Sequence, residues 1–288
     1  MFSLINSSNH HTRRGAAALV LSAAAILGTA CSDDSTAPNL ARTSYGTSQT
    51  LGAGTVRTYV TLNAAGKPTS MGVALSEGAL TNLPMTPNAP SPSAAMLQLA
   101  LPADAPVTGY NHVMVDWNPV GHEPDHVYTL PHFDFHFYAV TPAQVMTIMP
   151  TDPQYATKAA SLPAAAFVPA GYQAASVLAG IPASAAAVPM MGLHWLDVAS
   201  PELQPPPAGK TFTETFIYGS WDGKFIFLEP MITKAYLESL KNTTGMSRNI
   251  GTAAQVATPG YYPSSYSIRY DASAKEYRIA MDSLKFRQ

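Results

Sequence analysis

Cysteine is all but missing from this chain: Cys31 is the only one among 288 residues. An internal disulfide is therefore excluded, and so is a zinc or iron–sulfur site built from several thiolates. Any metal in the folded part must rely on His, Asp and Glu. Charge is scarce too, with Asp, Glu, Lys and Arg making up 12% against the ~25% usual in soluble domains. With 16 basic residues facing 18 acidic ones and no basic stripe, nucleic acid is not an expected partner. The apolar run from Ala16 to Leu27 falls short of the ~20 residues that an ordinary transmembrane helix needs. No Gly-x-Ser-x-Gly elbow, phosphate-cradling glycine loop, dinucleotide fingerprint or internal repeat occurs, so neither nucleophilic catalysis nor nucleotide chemistry has support.

What is present begins with an export signal. Arg13 and Arg14 precede the apolar run, and Gly28, Thr29 and Ala30 lead to Cys31. That order reads as a signal peptide over residues 1–30. Leu27-Gly28-Thr29-Ala30-Cys31 is a relaxed lipobox, with leucine one place further from the cysteine than usual, so Cys31 is the expected lipidation site. A plain secretory signal cut near Ala30 is the alternative. The expectation is a cell-envelope protein, lipid-anchored to a membrane on its periplasmic or extracellular side. Residues 31–50, rich in Ser, Thr, Asp and Asn, read as a flexible tether, and residues 51–288 as a single β-rich domain.

The domain shows period-two patterning throughout. Val56 to Leu62 and Thr69 to Leu75 flank an Asn63–Pro68 turn. Tyr110 to Trp117 alternates Val113, Val115 and Trp117 with His112, Met114 and Asp116. Phe212 to Tyr218 leads through Trp221-Asp222-Gly223-Lys224, a hairpin turn signal, into Phe225–Leu228. A last hairpin pairs Tyr266–Tyr270 with Tyr277–Met281. Thr141-Pro142-Ala143-Gln144 is a helix start, with an N-cap, a first-position proline and a capping-box glutamine. Residues 141–190, broken by Pro163, Pro169, Pro182 and Pro189, read as an insertion of short helices and loops. The fold class is mainly β: an antiparallel β-barrel or sandwich carrying that insertion. The 25 prolines and low charge suggest a compact chain that could form a homo-oligomer.

Chemistry concentrates in two short motifs, Gly121-His122-Glu123-Pro124 and Pro131-His132-Phe133-Asp134-Phe135-His136-Phe137-Tyr138. On a strand, successive side chains alternate faces, so Phe133, Phe135 and Phe137 share one face and His132, Asp134 and His136 the other. Same-face neighbours lie ~6.5–7 Å apart, whereas i and i+4 lie ~13 Å apart. His132 and His136 are therefore not expected on one ion. The expected pairs are His132 with Asp134, or Asp134 with His136, with Asp134 alternatively orienting a histidine without touching metal. Further ligands must come from His194, Glu229, His122, Glu123 or Glu214. Two histidines and a carboxylate with open positions suit a divalent metal, zinc first, with iron or manganese also compatible. His112 and His126 have no special spacing and read as structural or exposed. A metal-free hydrogen-bonded network, or acid–base chemistry alone, accounts for the same residue types.

The motifs also carry a resemblance. Gly121-His122-Glu123-Pro124, the Pro131–Tyr138 stretch, Met191-Gly192-Leu193-His194-Trp195-Leu196-Asp197, Phe216-Ile217-Tyr218-Gly219 and Glu229-Pro230-Met231-Ile232-Thr233 together resemble a bacterial family of exported domains of unknown function. One founding member comes from an extreme thermophile. The resemblance spans roughly Gly54 to Met281 and implies a single domain of that family. It places His122, Glu123, His132, Asp134, His136, His194 and Glu229 on motif positions, and it implies no established activity. Two functions stay open: a metal-dependent envelope enzyme, and a non-enzymatic oligomeric or ligand-binding lipoprotein whose His/Asp cluster is structural.

Overall fold

The computed structural model describes residues 40–89 and 91–288; the expected signal peptide and Cys31 lie outside the described residues. Four strands come first: β1 (Arg42–Tyr45), β2 (Gln49–Leu51), β3 (Gly54–Leu62) and β4 (Pro68–Ser76). The next eight are β5 (Ala95–Ala100), β6 (His112–Asn118), β7 (His132–Tyr138), β8 (Tyr172–Ala174), β9 (Ala187–Val188), β10 (Gly192–Asp197), β11 (Glu214–Trp221) and β12 (Lys224–Thr233). The chain closes with β13 (Met246–Asn249), β14 (Gly260–Tyr262), β15 (Ser265–Asp271), β16 (Glu276–Asp282) and β17 (Lys285–Arg287).

These strands make two large antiparallel sheets and one small ribbon. Sheet one runs β1-β3-β4-β16-β15-β13, with β2 also on β3; sheet two runs β5-β6-β7-β12-β11-β10-β8, with β9 on β10; β14 pairs β17. Both strand orders are open at their ends, so among the described residues the architecture is a sandwich and not the barrel alternative. One core joins the inner faces: Val56, Val60, Met71, Val73, Ile268 and Ile279 from sheet one meet Val113, Val115, Phe133, Phe135, Phe137 and Phe216 from sheet two. Burying a phenylalanine stabilises by about 1.5–3 kcal/mol, counted against an extended chain and so an upper figure. The three on β7 therefore help to offset what it costs to bury ionisable groups on the strand's other face.

Local signals in the sequence explain several boundaries. Thr141 and Gln144 form the reciprocal capping box of the helix Pro142–Val145. Thr233 caps the helix Lys234–Ser239 by accepting from the Tyr236 amide. Asp222 and Gly223 both have positive φ, 49° and 77°, as a two-residue hairpin turn requires. The 141–190 insertion contains short helices, as expected, four of them α-helical and one a 3-10 turn, and also β8 and β9, which extend sheet two.

The expected tether is shorter than its composition suggests. Arg42 to Tyr45 pair with β3, Arg42 opposite Leu62 and Tyr45 opposite Tyr59. The strand is fastened by side chains: Arg42 bonds Asp104 at 2.8 Å, and the Arg57 guanidinium lies 3.9 Å from the centre of the Tyr45 ring. A polar segment can join a sheet edge because the backbone supplies the ladder.

Candidate metal centre

The outer face of sheet two carries the ionisable residues. Strand register decides which of them meet. Along β6 and β7, Asn118 sits opposite His132, Asp116 opposite Asp134, Met114 opposite His136 and His112 opposite Tyr138, with no break in the ladder. Along β7 and β12, Leu228 pairs Phe137 and Met231 pairs Asp134; the constant register between them places Glu229 beside His136. Next come Ile217, opposite Glu229, and His194 on β10, opposite Gly219. A polar seam thus crosses five strands.

Two apolar layers flank the seam. Val145, Ile148 and Tyr155 pack on Tyr138, Ile226 and Phe227 at one end. Tyr128 and Phe212 pack on Ile217 and Met231 at the other. His132, Asp134, His136, Asp116, Asn118 and Glu229 are consequently buried, none more than 3% exposed. His122 and His194 keep partial access, with side chains 24% and 17% exposed.

The candidates fall into two groups of three that share no residue: His122, His132 and Asp134; and His136, His194 and Glu229. In the first, His132 Nε2 lies 3.1 Å from Asp134 Oδ1 and His122 Nε2 lies 3.4 Å from Asp134 Oδ2. His132 Nδ1 donates to the Leu130 carbonyl at 2.7 Å and His122 Nδ1 to the Glu123 carbonyl at 2.6 Å. The His122 loop depends on Gly121, whose φ is 70° and where a Cβ would collide with the Tyr128 and Thr129 backbone. Asn118 Nδ2 donates to Asp134 Oδ2 at 2.7 Å.

In the second group, His136 Nε2 is 3.3 Å from Glu229 Oε1 and His194 Nε2 is 3.5 Å from Glu229 Oε2. The other ring nitrogen of His136 is 3.1 Å from Asp116 Oδ2. Yet both His136 nitrogens, both Asp116 oxygens and Glu229 Oε2 lack an aligned hydrogen bond, and all are buried. Phe227 packs against both imidazoles, its ring 5.0 Å from that of His136 and 5.5 Å from that of His194. Gly219 makes room for that ring: any Cβ there would overlap it.

Electrostatics reflect the same convergence. Burial opposes charge on His122, but the hydrogen bond and attraction of Asp134 outweigh it and push its pKa up to about 9. Burial acts on Asp134 as well, and is overcome by His132 and His122, which hold the carboxyl well below its usual range. His136, also penalised by burial, is raised well above its usual value by Glu229 and Asp116. Burial wins at the remaining two, lowering His194 and raising Asp116. Without an ion, then, positive charge settles on His122 and His136, where a divalent cation would supply it.

The donor set fits a metal by distance. Ligand atoms ~2.0–2.1 Å from one tetrahedral ion stand ~3.3 Å apart, and the four nitrogen–oxygen distances within the two groups run from 3.1 to 3.5 Å. Of the pairs expected from spacing, His132 meets Asp134, while His136 faces Asp116 and Glu229 instead. Glu123 does not join either group. Its side chain is exposed, and its carbonyl is what anchors His122. Glu214 lies elsewhere, bonded to Arg248 at 2.6 Å and to the Tyr266 hydroxyl.

Asp116 and Asn118 carry no role in the sequence reading; His112, read as structural or exposed, is buried and stacked 5.0 Å from Tyr138. The signal for them was the Tyr110–Trp117 alternation, which puts His112, Met114 and Asp116 on one face; only pairing with β7 makes that face part of the site.

Fold and site together define a β-sandwich with two buried His/His/carboxylate clusters on the outer face of one sheet. A family model described as TTHB210-like, after the hypothetical protein TTHB210, matches residues 63–117. The match covers less than half the chain and ends at Trp117: His112 and Asp116 lie inside it, and none of the six clustered residues does. The chain is similar to an uncharacterised family over that stretch, which brings no activity with it. No curated protein and no solved structure matches the chain.

Proposed function

We propose that this is an exported, lipid-tethered envelope protein with a catalytic-type divalent metal centre at His136, His194 and Glu229. One observation carries the reading: His136 Nε2 and His194 Nε2 converge on the two oxygens of Glu229 at 3.3 and 3.5 Å, yet His136 Nε2 and Glu229 Oε2 are buried with no aligned hydrogen bond. Buried polar atoms are normally satisfied, and an ion is the partner that this donor geometry suits. Asp116 orients His136 from behind, as carboxylates commonly do for metal-bound imidazoles. Zinc is the leading ion, and iron or manganese share the donor preference. When bound, such an ion supplies Lewis acidity and lowers the pKa of a coordinated water. Three protein ligands rather than four leave room for that water, and His194 borders solvent. The activity class this supports is metal-assisted hydrolysis.

Elemental analysis of untagged protein tests the centre. About one or more zinc, iron or manganese per chain is expected, falling by one with His194→Ala; metal far below one per chain would end the proposal. The anchor is tested separately. Cys31→Ser is expected to release the protein from membranes, and unchanged membrane partitioning would refute lipidation.

A further inference from the structure

The geometry points to a second, independent divalent-metal site, built from His122, His132 and Asp134. It goes beyond the centre proposed above, and neither site requires the other.

The argument starts from where hydrogens must be. A carbonyl oxygen only accepts. The short contacts from His132 Nδ1 to Leu130 and from His122 Nδ1 to Glu123 therefore place a proton on each Nδ1. In a neutral ring the other nitrogen then carries the lone pair, which at His132 faces Asn118 Nδ2 in a long contact of 3.4 Å. Both of those Nε2 atoms are aimed at the Asp134 carboxylate, 3.1 and 3.4 Å away. With both rings neutral, the state that a bound cation would favour, three acceptors converge on one small volume. Asn118 satisfies Asp134 Oδ2 from the side, at 2.7 Å, and leaves Oδ1 buried without a hydrogen bond. Backbone-anchored Nδ1–H with Nε2 presented inward is the orientation that metal-binding histidines adopt.

One ion cannot serve both groups. His132 and His136 stand four residues apart on β7, ~13 Å along the strand, and the pairing from His132 to Tyr138 has no bulge that would fold them together. Asp134 and His136 are one two-residue step apart, ~7 Å, and point at different partners. With no ligand in common, the arrangement is two neighbouring mononuclear sites in one seam.

The test counts ions on the full exported chain. Zinc bound after dialysis is measured for the native protein, His122→Ala, His194→Ala and the double variant, with cobalt(II) absorption as a second readout. His122 lies on a surface loop and is partly exposed, so its replacement spares the core; circular dichroism verifies folding. The expected contents are two, one, one and zero. A native content of one that survives His122→Ala would overturn the second site and leave the first standing. A content of one that survives His194→Ala but not His122→Ala would uphold the second site and remove the first. Loss of all metal in both single variants would show one shared centre and overturn the inference. An Asp134→Asn variant that folds and still binds two ions would also overturn it.

Discussion

Replacing Asp116 by asparagine separates a metal centre from a structural ion-pair network, because the first predicts a loss that depends on metal and the second a loss that does not. Asp116 is fully buried, with Oδ2 3.1 Å from His136 Nδ1. Asp116→Asn keeps the shape and removes the charge. If His136 holds an ion through Nε2, losing the carboxylate behind it weakens metal affinity 10–100-fold, or about 1.4–2.7 kcal/mol. At saturating metal that loss appears in full as folding stability. For a domain of this size it lowers Tm by about 3–10 °C. In chelator-treated protein the loss is expected to be smaller, because burial already raises the Asp116 pKa and Glu229, 3.3 Å from His136, still pairs with it. Chelator competition measures the affinity, and thermal unfolding with and without EDTA measures the stability. Equal losses of about 3–5 kcal/mol in both states, the cost of breaking a buried pair, would refute the metal reading and leave a network that holds the sheet together.

Gly219→Ala displaces the Phe227 ring that packs on His136 and His194; it is expected to cost about 1–3 kcal/mol by overpacking and to weaken metal binding, both read by unfolding and chelator competition. His112 gives a pH dependence: burial, the main cause, lowers its pKa to about 4 from ~6.5 in the unfolded chain. The unfolded state therefore binds the proton first, so this contribution is complete above about pH 6.5 and is lost as pH falls toward 4, with a slope of at most ~1.4 kcal/mol per pH unit. Urea titrations of the native protein and His112→Leu should differ in slope over that window and run parallel above it. Tyr266→Phe removes the hydroxyl that donates to buried Glu214 and should cost about 1.5–3 kcal/mol; metal content should stay unchanged, because Glu214 belongs to neither cluster.

How much was legible follows the reach of each interaction. The Thr141–Gln144 capping box, the Asp222-Gly223 turn and the β7 alternation involve residues within four positions of one another. Local geometry alone determines them, and they stand as read. The tether was misjudged at Arg42–Tyr45 because a polar strand at a sheet edge has no alternation to display. Its partners, Asp104 and β3, are supplied by the fold. Sandwich and barrel could not be told apart either, since closure depends on which strands end a sheet.

The sequence by itself determined that Phe133, Phe135 and Phe137 face one way and His132, Asp134 and His136 the other, since a strand's two-residue period is a property of the backbone. Strand rise was also enough to put His132 and His136 in different side-chain groups. Only the tertiary structure decided what each ionisable group meets. The β6 and β12 registers bring Asp116 and Glu229 to His136, and a side-chain-free Gly219 lets Phe227 pack against His136 and His194. The Gly121 turn swings His122 back over Asp134. Those pairings join residues far apart in the chain, and it is register across the sheet that divides one row of ionisable residues into two clusters.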